Sequence, residues 1–143
     1  NKNLSSDSRL HLNKLPETLT IDRIYFVHGS PRDHLYEYVY EHNSEWVFKD
    51  FFNITNKDTI IMGHTHIPFI RTFQTKTKIK LVINPGSIGQ PRDGNPKASY
   101  CILDTKSYKA EIVRLSYDIN KAANKILNAG LPSFFAERLY KGV

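Results

Sequence analysis

The 143-residue sequence holds a single cysteine, Cys101, and only one methionine and one tryptophan. One thiol excludes an internal disulfide framework, so the fold must rest on burial and hydrogen bonding. No apolar run approaches the roughly 18 to 20 residues of a membrane-spanning helix. No signal pattern of basic, apolar and small residues opens the chain. Repeats and low-complexity tracts are missing too. The 14 acidic residues are scattered and form no cluster beside the histidines. A reducing, cytoplasmic setting is therefore expected, with Cys101 a buried core thiol in Ala98-Ser99-Tyr100-Cys101-Ile102-Leu103.

What is present suits one globular domain. Hydrophobic residues make up 40% and charged residues 24%, which argues against wholesale disorder. The formal charge of +6 suits an anionic partner. Lys76, Lys78 and Lys80 alternate as on one solvated face of a strand, so neither a nucleic-acid partner nor a membrane is indicated. The chain opens on Asn1, and residues 1–14 read as a polar leader or linker. The polypeptide is thus expected to be a fragment or processed product, with residues 15–143 forming part of one domain.

Residues 18–27 have the composition of one or two strands. Pro31 suits a helix start, and Leu35, Tyr36, Val39 and Tyr40 predict a helix over 32–41. Ser44 is positioned as the N-cap of a second helix whose apolar face holds Trp46, Val47, Phe48, Phe51 and Phe52. A strand follows at Ile60-Ile61-Met62. Residues 69–83 read as a hairpin and residues 84–96 as a long loop. Tyr100 to Leu103 and Ala110 to Leu115 form another antiparallel pair. Asp118 then caps a helix over 119–128, Gly130 stops it, and Leu131-Pro132 opens a last helix ending near Tyr140.

Three apolar runs end in polar loops. Ile24-Tyr25-Phe26-Val27 leads into His28-Gly29-Ser30-Pro31. Thr59-Ile60-Ile61-Met62 leads into Gly63-His64-Thr65-His66, and Lys80-Leu81-Val82-Ile83 into Asn84-Pro85-Gly86-Ser87. This is how an α/β protein delivers ligands to one edge of a sheet. On extended backbone His64 and His66 point the same way, and neutral imidazole is a common ligand of zinc, manganese and iron. His28, His64 and His66 are the candidate metal ligands, whereas His11, His34 and His42 read as surface residues. Asn84 and Ser87 read either as a turn built for backbone reasons or as the floor of an anion site. Arg92 is either a phosphate contact or half of an Arg92–Asp93 turn.

Taken in order, these three segments resemble the C-terminal half of a calcineurin-like metallophosphoesterase, most nearly the small phosphodiesterase type of bacteria and archaea. Ile88-Gly89-Gln90-Pro91-Arg92-Asp93-Gly94, Ala98-Ser99-Tyr100 and Ala129-Gly130-Leu131-Pro132 are similar to that type as well. The resemblance implies an α/β fold, here the C-terminal part of a four-layer α/β/β/α sandwich, with a mixed sheet and two C-terminal helices. It implies two divalent metal ions (manganese, iron, zinc or nickel), one on His28 and His64 and the other on His66. The reaction implied is hydrolysis of a phosphodiester or phosphomonoester by metal-activated hydroxide.

The family also carries Asp-x-His, Gly-Asp and Gly-Asn-His motifs, and none of these occurs here. Asp22-Arg23-Ile24 has no histidine two residues on, and the only aspartate beside a histidine is Asp33-His34. Carboxylates normally offset the charge of a metal pair and bridge it. The chain is therefore expected to supply half of a dinuclear site and no general acid, with the N-terminal half of the domain as its partner. Apolar surface left open by that division predicts association of the isolated chain into homo-oligomers. Two other readings follow from the same residues. One is a non-catalytic interaction module on this fold, as in the retromer coat; the other is a single zinc held by all three histidines.

Overall fold

A computed structural model describes residues 4–143. The element order is α1 (Ser6–Asn13), β1 (Thr18–Ile21), β2 (Ile24–Val27), α2 (Glu45–Thr55), β3 (Thr59–Ile61), β4 (Phe69–Gln74), β5 (Ile79–Asn84), β6 (Ala98–Asp104), β7 (Lys109–Leu115), α3 (Ile119–Asn128) and α4 (Phe134–Lys141). β1 to β5 form one sheet in the order β1-β2-β3-β5-β4, and β6 and β7 form a separate two-stranded ribbon.

The main sheet is mixed. β2, β3 and β5 run parallel, while β1 and β4 are antiparallel edges. Burial follows position: Leu81, Val82, Ile83 and Asn84 on β5, an inner strand, are all buried, as expected of a strand covered on both faces. At the β1 edge, Leu19 and Ile21 stay exposed. Helix α2 covers one face, and Val47, Phe48, Phe51 and Phe52 pack with Val27, Ile60, Met62, Phe69 and Val82. Each such side chain contributes about 2 kcal/mol by leaving water. β7 lies against β4, and the α3–α4 hairpin follows. The mixed sheet, the hairpin at 69–83 and the two C-terminal helices agree with the sequence reading. Asp118 caps α3 by accepting from Lys121 N at 2.8 Å.

Four local expectations are corrected. No helix forms over 32–41. Its start is tied into turns instead: Gly29 N donates to His34 O at 2.7 Å and Ser30 N to Asp33 O at 2.8 Å. The N–H groups of Arg32 and Asp33 go to Ser30 Oγ, and those of Leu35 and Tyr36 to Asp33 Oδ1. Side-chain acceptors thus take the donors that a continuing helix would need. Gly29 allows this closure, because a Cβ there would lie 2.6 Å from Asp33 O. Within the leader, residues 6–13 form α1, capped by Ser5 Oγ and burying no residue; Asn1 to Asn3 lie outside the described residues.

The lysines do not share a strand face: Lys76 sits in the β4–β5 turn, Lys78 pairs with Asp58, and Lys80 lies over the Phe52 ring. Cys101 is half-buried on the ribbon rather than in the core, and burial pushes its thiol pKa up. Among the described residues, no helix is long and apolar enough to cross a membrane.

Candidate metal centre

The parallel registers decide which loops meet. Phe26 is opposite Ile61 and Ile61 opposite Ile83, so the chain leaves β2, β3 and β5 at the same end of the sheet. There Gly63 N donates to His28 O at 3.0 Å, joining the first two loops. His28 Nε2 and His64 Nδ1 are 2.8 Å apart. His66 turns elsewhere, with Nδ1 2.7 Å from the Gln90 carbonyl. A carbonyl only accepts, so Nδ1 carries the proton and Nε2 keeps its lone pair.

The loop carrying His64 and His66 is not extended. Both residues adopt left-handed backbone, with φ of 63° and 59°. The expectation that alternation on a strand aligns them is corrected: two left-handed residues flanking Thr65 redirect the chain, and only His64 meets His28. Such conformations cost about 1 to 3 kcal/mol each for a side-chain-bearing residue and persist where surrounding contacts over-determine them. Asn84 is that contact. Fully buried, it donates from Nδ2 to Gly63 O at 2.8 Å and Thr65 Oγ1 at 2.9 Å, and its Oδ1 accepts from Gly86 N at 2.9 Å. Gly86 is required next, at φ 80° and against Ser99, where a Cβ would lie 2.8 Å from Ser99 Cβ.

Ser87 Oγ accepts from Gly89 N and Gln90 N, shaping the turn that presents the Gln90 carbonyl to His66. Arg92 N donates to His66 O at 3.3 Å. Asp93 pairs with Arg114 on β7. Arg92 has no carboxylate partner among the described residues, and its Nε is buried without a hydrogen bond. The structure thus places Arg92 and His66 together, with Ser87 and Asn84 acting on the loops beneath them.

The electrostatics favour neutral rings. Desolvation, then the neighbouring His64, lowers the His28 pKa. Desolvation chiefly lowers that of His66 against the Gln90 hydrogen bond, with smaller contributions from the charges of Arg92, His28 and Arg138. Arg138, on α4, is a residue that sequence reasoning missed. So is Tyr38, whose ring centroid lies 4.0 Å from that of His64. No sequence signal singles out Arg138. Tyr38 belongs to an alternation of Tyr36, Tyr38, Tyr40 and His42 that the helical reading concealed.

The chemistry of these residues suits metal ligation. Imidazole that is neutral near pH 7 is a ligand form. His64 Nε2 is buried without any hydrogen bond, an orphaned nitrogen that requires an explanation. The His66–Gln90 bond is the outer contact that commonly fixes a ligating histidine. Among the described residues, no three His, Cys, Asp or Glu side chains converge on one metal-sized position. The single-zinc reading on all three histidines is therefore corrected: His66 faces Gln90 while His28 and His64 face each other.

A separate cavity at the opposite end of the strands is lined by Asp22, Arg23, Thr59, Leu103 and Tyr108 and contains none of these groups.

Comparison with known proteins gives the family and the fold. The calcineurin-like phosphoesterase superfamily domain matches residues 3–108. An uncharacterized protein of Methanocaldococcus jannaschii is 38% identical across 99% of this chain, which covers 62% of that relative. A metallophosphoesterase crystal structure from Sphaerobacter thermophilus superposes with a TM-score of 0.88 at 28% identity, over 99% of this chain and 65% of that one. A hypothetical protein from Pyrococcus horikoshii shares the fold, with a TM-score of 0.84 at 22% identity, over 99% and 57% of the two chains. The chain thus spans less than two thirds of the length of each of these relatives. With the motif order, the parallel-strand site and the extent of the match in agreement, the chain belongs to the calcineurin-like phosphoesterase superfamily.

Proposed function

We propose that this chain contributes one half of a dinuclear centre for phosphoester hydrolysis, with His28 and His64 on one ion and His66 on the other. The observation that carries the reading is the buried, unpartnered Nε2 of His64 beside His28, on a loop whose left-handed backbone is fixed by Asn84. When bound, divalent metal such as manganese supplies charge compensation and water activation for attack on phosphorus. The protein's own residues do the positioning. Gln90 holds the His66 ring with Nε2 free, and Asn84 keeps the His64 loop in its left-handed form. The Arg92 guanidinium binds non-bridging phosphate oxygens, which its planar fork matches.

The partner in this reading is the remainder of the domain, bringing carboxylates and a general acid. An open apolar groove lined by Phe26, Ile61, Pro85, Ile88, Tyr100 and Leu103 supports it, since exposed apolar surface of this kind marks a missing neighbour. Left uncovered, that face drives self-association of the isolated chain, which light scattering measures.

Supplying in trans the part of the Methanocaldococcus jannaschii relative that this chain does not cover, with manganese and an aryl phosphodiester, tests the function. Turnover is expected, and it is lost in His64→Ala. Turnover no higher than that of His64→Ala would sink the catalytic claim, and indifference to metal would favour a non-catalytic interaction module.

A further inference from the structure

The segment between the first histidine loop and α2 carries exposed aromatic rings beside the candidate metal centre. Val39 is 3% exposed, inserted into the core among α2 and sheet residues. On irregular, extended chain its neighbours Tyr38 and Tyr40 therefore turn to the other side. Tyr38 and Tyr40 are nearly parallel, 16° apart with centroids separated by 6.4 Å; Tyr40 and His42 are 13° apart at 5.4 Å. At the inner end Tyr38 meets His64, and His64 meets His28. The rings form one continuous run of contacts leading outward from the candidate metal ligands, parallel along Tyr38, Tyr40 and His42, tilted by 41° between Tyr38 and His64, and edge-on between His64 and His28.

The stack is held in place. Tyr40 N donates to Asn43 Oδ1 at 2.6 Å, Asn43 N to Tyr40 O at 3.1 Å, and Arg71 Nη1 to Glu41 O at 2.5 Å. Main chain anchored this way at Tyr40 and Glu41, next to buried Val39, would cost little further entropy on binding a flat ligand. Tyr38 is 51% exposed and His42 is exposed, so these rings are open to a ligand.

From this arrangement we infer that Tyr38, Tyr40 and His42 form a specificity platform for phosphoesters whose alcohol group carries a planar heteroaromatic ring, as a nucleotide does. With the phosphate at the histidines and Arg92, the substituent of the ester leaves the centre past Tyr38, and its ring lies on the stack. Sugar phosphates and alkyl phosphates lack that contact. The inference rests on the proposed phosphoesterase reading for the position of the phosphate, but not for the stacking itself.

Calorimetry on the 143-residue chain, comparing adenosine 5′-monophosphate, ribose 5-phosphate and adenosine, tests it, with ring signals of the tyrosines followed by NMR. The monophosphate is expected to bind about tenfold more tightly than ribose 5-phosphate, the usual worth of one base stacked on an aromatic side chain. Tyr38→Ala and Tyr38→Leu should both remove that advantage, read as the ratio of the two affinities within each variant; the leucine variant retains bulk without an aromatic face. Equal affinity for the two phosphates, or an advantage that survives both substitutions, would overturn the inference. Adenosine shifting the tyrosine rings while ribose 5-phosphate fails to bind would uphold the platform and count against the phosphate site, so the two claims fail separately.

Discussion

The two ends of the parallel strands are built on opposite principles. At the end where β2 and β3 begin, Asp58 is buried, with its side chain 3% exposed, and is paired with both Arg23 and Lys78. Its charge is answered by this chain's own residues, and its main chain joins the ladder through Leu81 N. At the end where the same strands finish, two non-glycine residues hold left-handed backbone, a ring nitrogen is buried without a partner, and Arg92 has no carboxylate partner among the described residues. One end is closed and contributes stability. Left-handed non-glycine backbone is found at both ends, at Asp22 and Asn56 as well as at His64 and His66. The difference lies in the polar groups: the second end leaves a buried ring nitrogen and the Arg92 Nε without hydrogen-bond partners.

The largest test of that contrast is Asn84→Ala. It leaves Gly63 O, Thr65 Oγ1 and Gly86 N without their buried partner and frees the strained loop. A loss of about 2 to 3 kcal/mol in urea unfolding is expected, together with loss of metal binding. Unchanged stability would show that the loop holds its shape without the clamp.

At the closed end, the Asp58 carboxyl is lowered from 3.8 to about 2, first by the hydrogen bond from Arg23 and then by Lys78, against the effect of burial. A folded-state value below the unfolded one means the contribution is complete above about pH 4 and is lost as pH falls towards 2. Asp58→Asn should therefore cost on the order of 1 to 2 kcal/mol at pH 7 and flatten the acid limb of the stability profile between pH 4 and 2. Metal affinity should not change, since the substitution lies at the other end of the strands. A parallel loss of affinity would break the separation of the two ends.

The smallest effect belongs to the left-handed backbone itself. His64→Gly should be about 1 kcal/mol more stable than His64→Ala, because glycine occupies φ near 60° without a Cβ penalty. Neither variant should bind metal at this position. Equal stability of the pair, measured by thermal unfolding, would argue that the loop relaxes once the imidazole is gone.

Much of this architecture is legible in the sequence, for physical reasons that differ by region. The strands β2, β3 and β5 are short β-branched and aromatic runs that stop at Gly or Pro. Their parallel pairing follows because α2 carries the chain back between β2 and β3 and the antiparallel β4 carries it back between β3 and β5, so the loops after the three strands share an edge. Helix α2 announces itself by Phe48, Phe51 and Phe52 on one side. The segment 32–41 misleads because Leu35, Tyr36, Val39 and Tyr40 satisfy a helical period while Tyr36, Tyr38, Tyr40 and His42 satisfy a period of two. Ser30 and Asp33 decide between them by capturing backbone donors locally. Helix α1 is obscured for the converse reason: it buries nothing, so it leaves no apolar period to read.

Within the site, the identity of the ligands is legible but their conformation is not. Gly63-His64-Thr65-His66 carries no glycine at either left-handed position, and the residue that holds them there, Asn84, lies 20 residues beyond His64. Only the parallel pairing of β3 with β5 brings it beneath the loop. The Arg138 charge, on the last helix, helps lower the His66 pKa, an effect that no local pattern encodes.

The most direct measurement is a calorimetric titration of the chain with zinc, chosen because neutral imidazole binds it well. Saturable binding is predicted, weakened at least tenfold by His28→Ala and by His64→Ala, and unchanged by His11→Ala on the exposed helix α1. Absence of binding, or binding that survives loss of His64, would contradict the assignment of this end of the sheet as a metal centre.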